Sequence, residues 1–438
     1  MRFQDYLFKP IDNTPIVLWR VVFGLVMFFE TWGAIAVGWV KQVYIDPPAF
    51  TFSFIGFEFL QPLPGYSMYI WFALLGVLSI GVILGYRYRL SILLFTVGWM
   101  GVYFMHKTSY NNHHYLMTLL CIMMCIVPAN KALSLDVKQG RVTSLSYCHN
   151  LYLQLFIWLF LIVFTYASIA KIYPDWLNGV PLTQWLEAKK ESPIGFFFQN
   201  RYQALLMSWG GIFFDLLIIP ALLWSKTRRF AFWISIYFHL MNSITFQIGT
   251  FPYMMIGACV LFYPPEKLRK WFRINEKQYN ALPKITVLSK KVMTITFIGF
   301  FIIKILLPLR HYVIPGNVFW TEEGHKLSWR MMLRSKRGSA SFYVTKPNGE
   351  VLRVNAKNHM TPKQYRTMAT HPDMVWQFCQ YLKELHGPDI HIKVTNYVSL
   401  NFRQVKPMID PDYDMAKAEW HLFQHEEWIL DGPDWSDK

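Results

Sequence analysis

Residues 150–171 read NLYLQLFIWLFLIVFTYASIAK, a run that carries no charged side chain before the closing Lys171. An α-helix needs about 20 consecutive, predominantly apolar residues to cross the hydrocarbon core of a bilayer. The run has that length, so it predicts a membrane-spanning helix. The charge at Lys171 marks the point where this helix leaves the membrane.

Comparable apolar runs recur along the first 309 residues. The chain is 53% hydrophobic, 18% aromatic and only 16% charged, which is unusual for a soluble domain. We therefore predict a polytopic α-helical membrane protein with about nine transmembrane helices. The predicted spans are 16–38, 66–85, 90–106, 113–128, 150–170, 204–224, 229–248, 249–263 and 289–309.

The distribution of basic residues indicates the orientation. A net charge of +16 also occurs in nucleic-acid-binding proteins. Here, however, most Lys and Arg residues lie in connections that share one side of the bundle, as cytoplasmic loops do. We expect a cytoplasmic N-terminus, an extracytoplasmic C-terminal domain and no nucleic-acid partner. The expected location is a bacterial inner membrane, or the endoplasmic reticulum membrane of a eukaryote.

The character of the chain changes near residue 310. Segments 341–345 and 390–395 alternate and are rich in β-branched or aromatic residues, which is typical of strands. Pro347-Asn348-Gly349 predicts a turn, Thr361 a helix start, and 374–385 has helical spacing. We predict two domains, a helical catalytic domain over 1–309 and a mixed α/β, β-rich substrate-binding domain over 310–438.

Several polar residues fall at membrane depth, where an ionisable side chain costs roughly 2.5–3.5 kcal/mol on insertion scales. They are Arg20, Glu30, Asp215, His239 and Asn242. Hydrogen bonds between helices explain any one of them. Their accumulation also favours a functional site.

The densest polar stretch is Lys107 to His114, between the third and fourth spans. Its amides and imidazoles suit a carboxylate, a quinone oxygen or a developing anion, although a hydrated loop has the same composition. Lys171 either extends its amine to the membrane interface or acts as a desolvated base. Both features lie on the outer side of the predicted topology, which makes them one candidate site.

These residues resemble the vitamin K-dependent γ-glutamyl carboxylase family. The resemblance is carried by Lys107-Thr108-Ser109-Tyr110-Asn111-Asn112-His113 with Tyr115, Lys171 with Asp175-Trp176, 60–64, Trp209-Gly210-Gly211 with Asp215, 237–243, 328–332 and 409–420. The motifs occur in order from near Asp12 to past Trp420.

The resemblance implies peptidyl-glutamate 4-carboxylase activity. Vitamin K hydroquinone is oxygenated by O2 to its 2,3-epoxide, a γ-proton leaves a glutamate residue, and CO2 traps the carbanion. The implied partners are an exported glutamate-containing protein, the lipid bilayer and, functionally, a quinone or epoxide reductase. No metal is expected, since the adjacent His113 and His114 cannot easily share an ion.

The resemblance also implies roles for individual residues. Lys171 would deprotonate the hydroquinone, Asn112 would orient it, and His113 would stabilise the carbanion or carboxylate during CO2 addition. The further residues expected to bind substrate or cofactor are Tyr110, Asn111, His239, Asn242 and Trp329. Two alternatives stay open, namely a quinol-epoxidising oxygenase without peptide carboxylation and a non-enzymatic lipid- or quinone-binding membrane protein.

Overall fold

The computed structural model describes residues 3–47, 50–191, 201–246, 248–274, 282, 285–331 and 333–434. The helices are α1 (Phe3–Phe8), α2 (Thr14–Ala36), α3 (Ser67–Leu84), α4 (Tyr88–Met105), α5 (Asn112–Ile126), α6 (Leu135–Lys138), α7 (Asn150–Ile169), α8 (Pro174–Leu177), α9 (Val180–Glu187), α10 (Arg201–Leu223), α11 (Arg228–Phe246), α12 (Phe251–Ala258), α13 (Pro265–Trp271), α14 (Val287–Leu306), α15 (Val318–Thr321), α16 (Pro362–Met368) and α17 (Pro372–His386). The strands are β1 (Pro10–Asp12), β2 (Tyr147–His149), β3 (Lys336–Thr345), β4 (Val351–Val354), β5 (His391–Leu400) and β6 (Lys406–Pro407).

A helix lies at each of the nine predicted spans, but fewer can cross a bilayer by length and composition. Within the described ranges, six segments are long and apolar enough, namely Thr14–Ala36, Ser67–Leu84, Tyr88–Met105, Asn150–Ile169, Arg201–Leu223 and Val287–Tyr312. Two further apolar segments, Asn112–Ile126 and Phe251–Phe262, are shorter. These helices indicate a multi-pass membrane protein, while the count of nine spans stays a prediction.

Glycines allow the first two long helices, α2 and α3, to pack closely. A Cβ atom on Gly24 of α2 would lie 2.7 Å from the Ile83 side chain and 3.0 Å from its backbone nitrogen. On the facing side, Gly76 of α3 leaves room for the Trp32 indole, which donates to Ala73 O at 3.2 Å. Small residues at such crossings let helix backbones approach in a bilayer, where hydrophobic attraction between helices is absent.

Arg20 has a structural role, as the interhelical explanation predicts. Its guanidinium is fully buried and donates to the carbonyls of Ile83, Ala129, Ala132 and Leu133 at 2.6–3.2 Å. These carbonyls lie at the end of α3 and in the loop after α5. Arg20 therefore joins α2 to α3 and to the loop after α5, at the end of the bundle away from the C-terminal domain.

The C-terminal domain is built on an antiparallel sheet with strand order β4-β3-β5-β6. The predicted turn at Pro347-Asn348-Gly349 connects β3 to β4, and Gly349 adopts φ +83°, which favours glycine. The predicted helix start at Thr361 is confirmed by a capping box with Gln364. α17 contains the predicted helical stretch and packs on the sheet, with the Phe342 and Phe378 rings 4.8 Å apart.

The C-terminal domain contacts one end of the helical bundle. Asp175, just beyond α7, accepts two hydrogen bonds from the Arg403 guanidinium at 2.6 and 2.7 Å and one from Asn401 at 2.6 Å. The Tyr115 ring of α5 stacks on Trp329 at 4.8 Å. The polar stretch after α4 and the end of α7 therefore lie on the same side of the bundle, next to this domain.

Candidate functional site

Lys171 forms a buried ion pair that the sequence analysis did not predict. Its Nζ atom lies 2.6 Å from Asp215 Oδ2 and donates to Ala167 O at 3.0 Å. Both side chains are about nine-tenths buried. Lysine at the end of α7 is therefore held inside the protein by a carboxylate of α10, and the alternative that it extends to the membrane interface is wrong.

Small residues allow α7 and α10 to approach closely enough for this pair. Ser168 donates its hydroxyl to Ile212 O at 3.0 Å. A Cβ atom at Gly211 would lie 3.7 Å from Lys171 Cε, an ordinary van der Waals distance, so the α10 backbone at Gly211 passes beside the Lys171 side chain. Ser168, one of the small residues just before Lys171, therefore packs against a second helix, α10.

The Asp-Trp pair that follows Lys171 joins the helices to the C-terminal domain. Asp175 is buried and binds Arg403 and Asn401, as described above. Trp176 donates its indole N–H to Ser208 O at 3.1 Å, and its ring centre lies 5.8 Å from Lys171 Nζ. Lys171 is therefore followed by a segment that is hydrogen-bonded to the C-terminal domain.

The polar stretch after α4 is an interdomain junction, so the alternative of a hydrated loop is wrong. Lys107, Thr108 and Asn112 are buried. Asn111 caps α5 by accepting from His114 N at 2.7 Å. Asn112 donates to Arg330 O at 3.0 Å.

Tyr110 links the two domains through its hydroxyl group. That hydroxyl accepts from Leu327 N at 2.8 Å and donates to Asn112 Oδ1 at 3.2 Å. Asn112 and Tyr110 thus hold segment 327–330 of the C-terminal domain against the start of α5. Within the described part of the chain, no hydrogen bond or ion pair joins Lys171 to Asn112 or His113.

His113 and His239 are brought together around one aromatic ring. The His113 imidazole stacks on Phe251 with a centroid distance of 3.9 Å, and His239 meets the same ring edge-on at 6.2 Å. Phe214, the neighbour of Asp215 in α10, lies 5.6 Å from His239. Neither imidazole hydrogen-bonds to another described residue, so both can offer a donor or an acceptor to a ligand.

Glu30 completes this region from α2. Its two carboxylate oxygens bind different groups, His114 Nε2 at 3.1 Å and Thr250 Oγ1 at 2.5 Å. A membrane-depth carboxylate thus has partners on two other segments, as the interhelical explanation predicts. Its partner His114 directly follows His113 in the chain, so the Glu30 carboxylate lies close to the His113 position.

Asn242 and Trp329, which are expected to bind a ligand, both contact other parts of the protein, and their role in binding stays a prediction. Asn242 donates to Phe238 O at 3.0 Å, one turn earlier in its own helix. Trp329 is buried, adopts φ +58° and stacks on Tyr115, whose hydroxyl accepts from Lys304 at 2.9 Å. Both side chains have protein partners, so the structure gives them packing and anchoring contacts.

A group of buried charges lies where the C-terminal domain meets the polar stretch after α4. Lys107 Nζ and Lys326 Nζ both lie 2.6 Å from Asp373 Oδ2. Burial lowers the pKa of Lys107 to about 8, opposed by the Asp373 charge and reinforced by Lys326. The two ammonium groups hold the pKa of the Asp373 carboxyl well below its usual range despite its burial.

Sequence reasoning missed the partners that define these groups. Asp215 was visible as an ionisable residue at membrane depth, but its pairing with Lys171 was not. Asp373 and Lys326 gave no signal, because ordinary surface residues of a soluble domain look the same. Among the residues that the structure describes, no group of three or more His, Cys, Asp or Glu side chains is arranged to hold a metal ion.

The fold and these sites define a class, a multi-pass helical membrane protein with buried ionisable groups at the end that carries a mixed α/β domain. The model of the HTTM domain family matches residues 8–267. The model described as vitamin K-dependent gamma-carboxylase, lumenal domain, matches residues 289–434. The chain belongs to the vitamin K-dependent γ-carboxylase family. No solved structure matches it significantly.

Membership of this family supports a carboxylase function that involves vitamin K. It also supports glutamate-containing protein substrates and a membrane environment. The description of the second family model as a lumenal domain suggests that residues 289–434 lie outside the cytoplasm.

Proposed function

We propose that this protein carboxylates glutamate residues of exported proteins at the γ-carbon, coupled to oxygenation of vitamin K hydroquinone by O2 to the 2,3-epoxide, with CO2 as the carbon source. The observation that carries the proposal is the buried Lys171–Asp215 pair, 2.6 Å apart, at the domain junction of a chain from this family. Burying two ionisable side chains costs desolvation free energy, and such pairs are typical of sites of proton transfer.

The residues around the junction fit a flat hydroquinone with polar oxygens. Phe164, Phe214, Phe238 and Phe251 supply apolar ring surfaces. The imidazoles of His113 and His239 contact these rings, and together with the Lys171 amine they are the groups that hydrogen-bond to the hydroquinone oxygens in this proposal. The hydroquinone, once oxygenated, supplies the base strength that no protein side chain has for removing a γ-proton.

Lys171 takes the hydroquinone proton in this proposal. A lysine paired with a carboxylate can accept a proton only after it has given one up. Asp215 Oδ2, at 2.6 Å, is the nearest carboxylate acceptor and is itself buried. We therefore assign Lys171 and Asp215 to one proton-transfer unit, with Trp176 shielding the amine.

His113 stabilises the glutamate carbanion or the new carboxylate during CO2 addition. Its stacking on Phe251 fixes the ring plane, and its nitrogens keep hydrogen-bonding capacity. Asn112 acts as a positioning residue, since its amide holds Arg330 O and thereby the outer-domain segment beside His113. The epoxide product calls for a separate reductase that regenerates the hydroquinone.

The test uses the full chain in lipid nanodiscs with vitamin K hydroquinone, O2, ¹⁴C-labelled CO2 and a glutamyl peptide. Label in the peptide and epoxide in the lipid fraction are measured together. Lys171→Ala abolishes both products, whereas Lys190→Ala, at an exposed lysine paired with Glu187, changes neither. Retained epoxide formation in Lys171→Ala would contradict the proton-transfer role.

A second variant separates the two half-reactions. His113→Ala lowers carboxylation more than epoxidation, because His113 acts after the hydroquinone has been oxygenated. An equal loss of both products would argue for a structural role of the imidazole. Epoxide without any peptide label in the parent chain would overturn carboxylation and leave an epoxidising oxygenase.

A further inference from the structure

The Lys107–Asp373–Lys326 cluster carries more positive charge than its protein partners neutralise. Its two ammonium groups share one oxygen of one carboxylate, with both distances 2.6 Å. The side chains of Lys107 and Asp373 are 2% and 5% exposed, and that of Lys326 is 20% exposed. Among the described residues, Asp373 is the carboxylate in direct contact with both amines, and Glu58 acts on Lys107 only from beyond ion-pair distance, so one positive charge has no direct counter-ion.

A second imbalance lies beside the first. Arg334 and Lys336 both contact the Glu322 carboxylate, Lys336 at 3.2 Å. His371 lies 3.9 Å from Glu322, and burial lowers its pKa to about 4, so it adds no charge at neutral pH. Two buried carboxylates thus face four cations, and buried charge without a counter-ion is costly.

The Lys107–Asp373–Lys326 cluster also has hydrogen-bonding capacity to spare. Lys107 Nζ is buried and has Asp373 Oδ2 as its close acceptor among the described residues, whereas an ammonium group carries three N–H donors. Arg330 Nε is a buried donor without a hydrogen-bond partner in the same part of the chain. Asp373 Oδ1, a buried acceptor that would oppose an anion, has no hydrogen-bond partner within the described ranges.

This cluster adjoins the proposed reaction site through one short segment. Lys326 precedes Leu327, whose N–H group binds the Tyr110 hydroxyl. Arg330, three residues later, holds Asn112 through its carbonyl. A ligand carboxylate at Lys107 and Lys326 would therefore lie on the same face as the start of α5, where His113 is located.

We propose that Lys107 and Lys326 bind the side-chain carboxylate of the glutamyl substrate, with Asp373 holding the two amines together. The proposal rests on the proposed function, because it names the group of the peptide that this junction recognises. The ligand is a carboxylate anion, and its neutral amide counterpart is the matched comparison.

The test measures equilibrium binding of a fluorescent pentapeptide with a central glutamate to the full chain in nanodiscs, without hydroquinone. The parent chain binds it about tenfold or more tightly than the glutamine peptide, as expected for charge-assisted hydrogen bonds. Lys326→Gln removes that preference and leaves glutamine-peptide binding unchanged. Equal affinities for both peptides in the parent chain would overturn the proposal.

Matched variants separate recognition from a purely structural tie between the domains. Lys326→Arg restores the preference for glutamate, and Lys346→Gln, at a lysine of the outer domain more exposed than Lys326, leaves it intact. Lys107→Gln lowers affinity in the same way when its thermal unfolding matches that of the parent. If Lys326→Gln instead retains the full preference, the cluster only joins the domains and the proposal fails.

The outcome is separable from that of the proposed function. A chain that prefers the glutamate peptide but incorporates no labelled CO2 supports this site and contradicts carboxylation. A chain that carboxylates the peptide without distinguishing glutamate from glutamine in the binding assay supports the proposed function and contradicts this site.

Discussion

Removal of the Asp215 carboxylate leaves the Lys171 amine buried without its partner. Two unit charges 2.6 Å apart interact by about 6 kcal/mol at an effective dielectric constant of about 20. Desolvation offsets much of that attraction, so truncating one partner of a buried pair costs about 3–5 kcal/mol. We expect Asp215→Leu and Lys171→Met each to lower the free energy of unfolding by this amount.

The double variant, Asp215→Leu with Lys171→Met, regains most of the loss because it leaves neither charge unpaired. The measurement is a double-mutant cycle on unfolding in mixed detergent micelles, monitored by circular dichroism. A coupling energy below about 1 kcal/mol, the value typical of exposed pairs, would refute the buried ion pair. Asp215→Asn is tested separately. If the carboxylate also accepts a proton, this variant loses most of its epoxide formation, while its free energy of unfolding falls by much less than that loss would require.

Three further predictions concern the junction between the domains. Arg403→Met breaks the two hydrogen bonds to Asp175, costs about 3 kcal/mol, and speeds protease cleavage near the junction, measured by mass spectrometry. Above pH 8 the glutamate-peptide affinity falls, because Lys107, with a pKa of about 8, loses its charge, whereas glutamine-peptide affinity measured alongside stays constant. The charged groups that act on Lys107 are Asp373, Lys326 and Glu58. The pKa of Glu322 lies well below its usual range, so its carboxylate stabilises the fold at neutral pH. That contribution is lost as the pH falls below about 4. Glu322→Gln therefore flattens the acidic part of a plot of melting temperature against pH.

The local sequence pattern predicted secondary-structure elements well where a single physical requirement decides the structure. Uninterrupted apolar runs mark helices, because in a bilayer the backbone must satisfy its own hydrogen bonds. The helices at the nine predicted positions follow from that rule, as does the turn at Pro347-Asn348-Gly349. Length and hydropathy then limit the clear membrane-spanning candidates to six among the described residues, so the shorter helices need evidence beyond their composition.

The candidate site was only partly predictable, since its pairs join residues far apart in the chain. Lys171 and His113 could be recognised in the sequence, because a polar side chain beside an apolar run is costly to bury and is kept there only if it has a partner or a function. Their partners could not, since nothing local distinguishes Asp215 as the one that meets Lys171, or Phe251 as the ring that meets both His113 and His239. Asn112, which is expected to orient the hydroquinone, also donates a hydrogen bond to the Arg330 carbonyl of the C-terminal domain, a contact that no local pattern predicts.

The sequence by itself determined the class of protein, the positions of its helices and the family to which it belongs, because these depend on local hydropathy and on motifs that are contiguous or nearly so. The tertiary structure alone decided which charges meet. Coulombic and hydrogen-bonding interactions act over a few ångströms in space, so the Lys171–Asp215 pair and the cluster of Lys107, Lys326 and Asp373 exist only once the helices and the outer domain have packed.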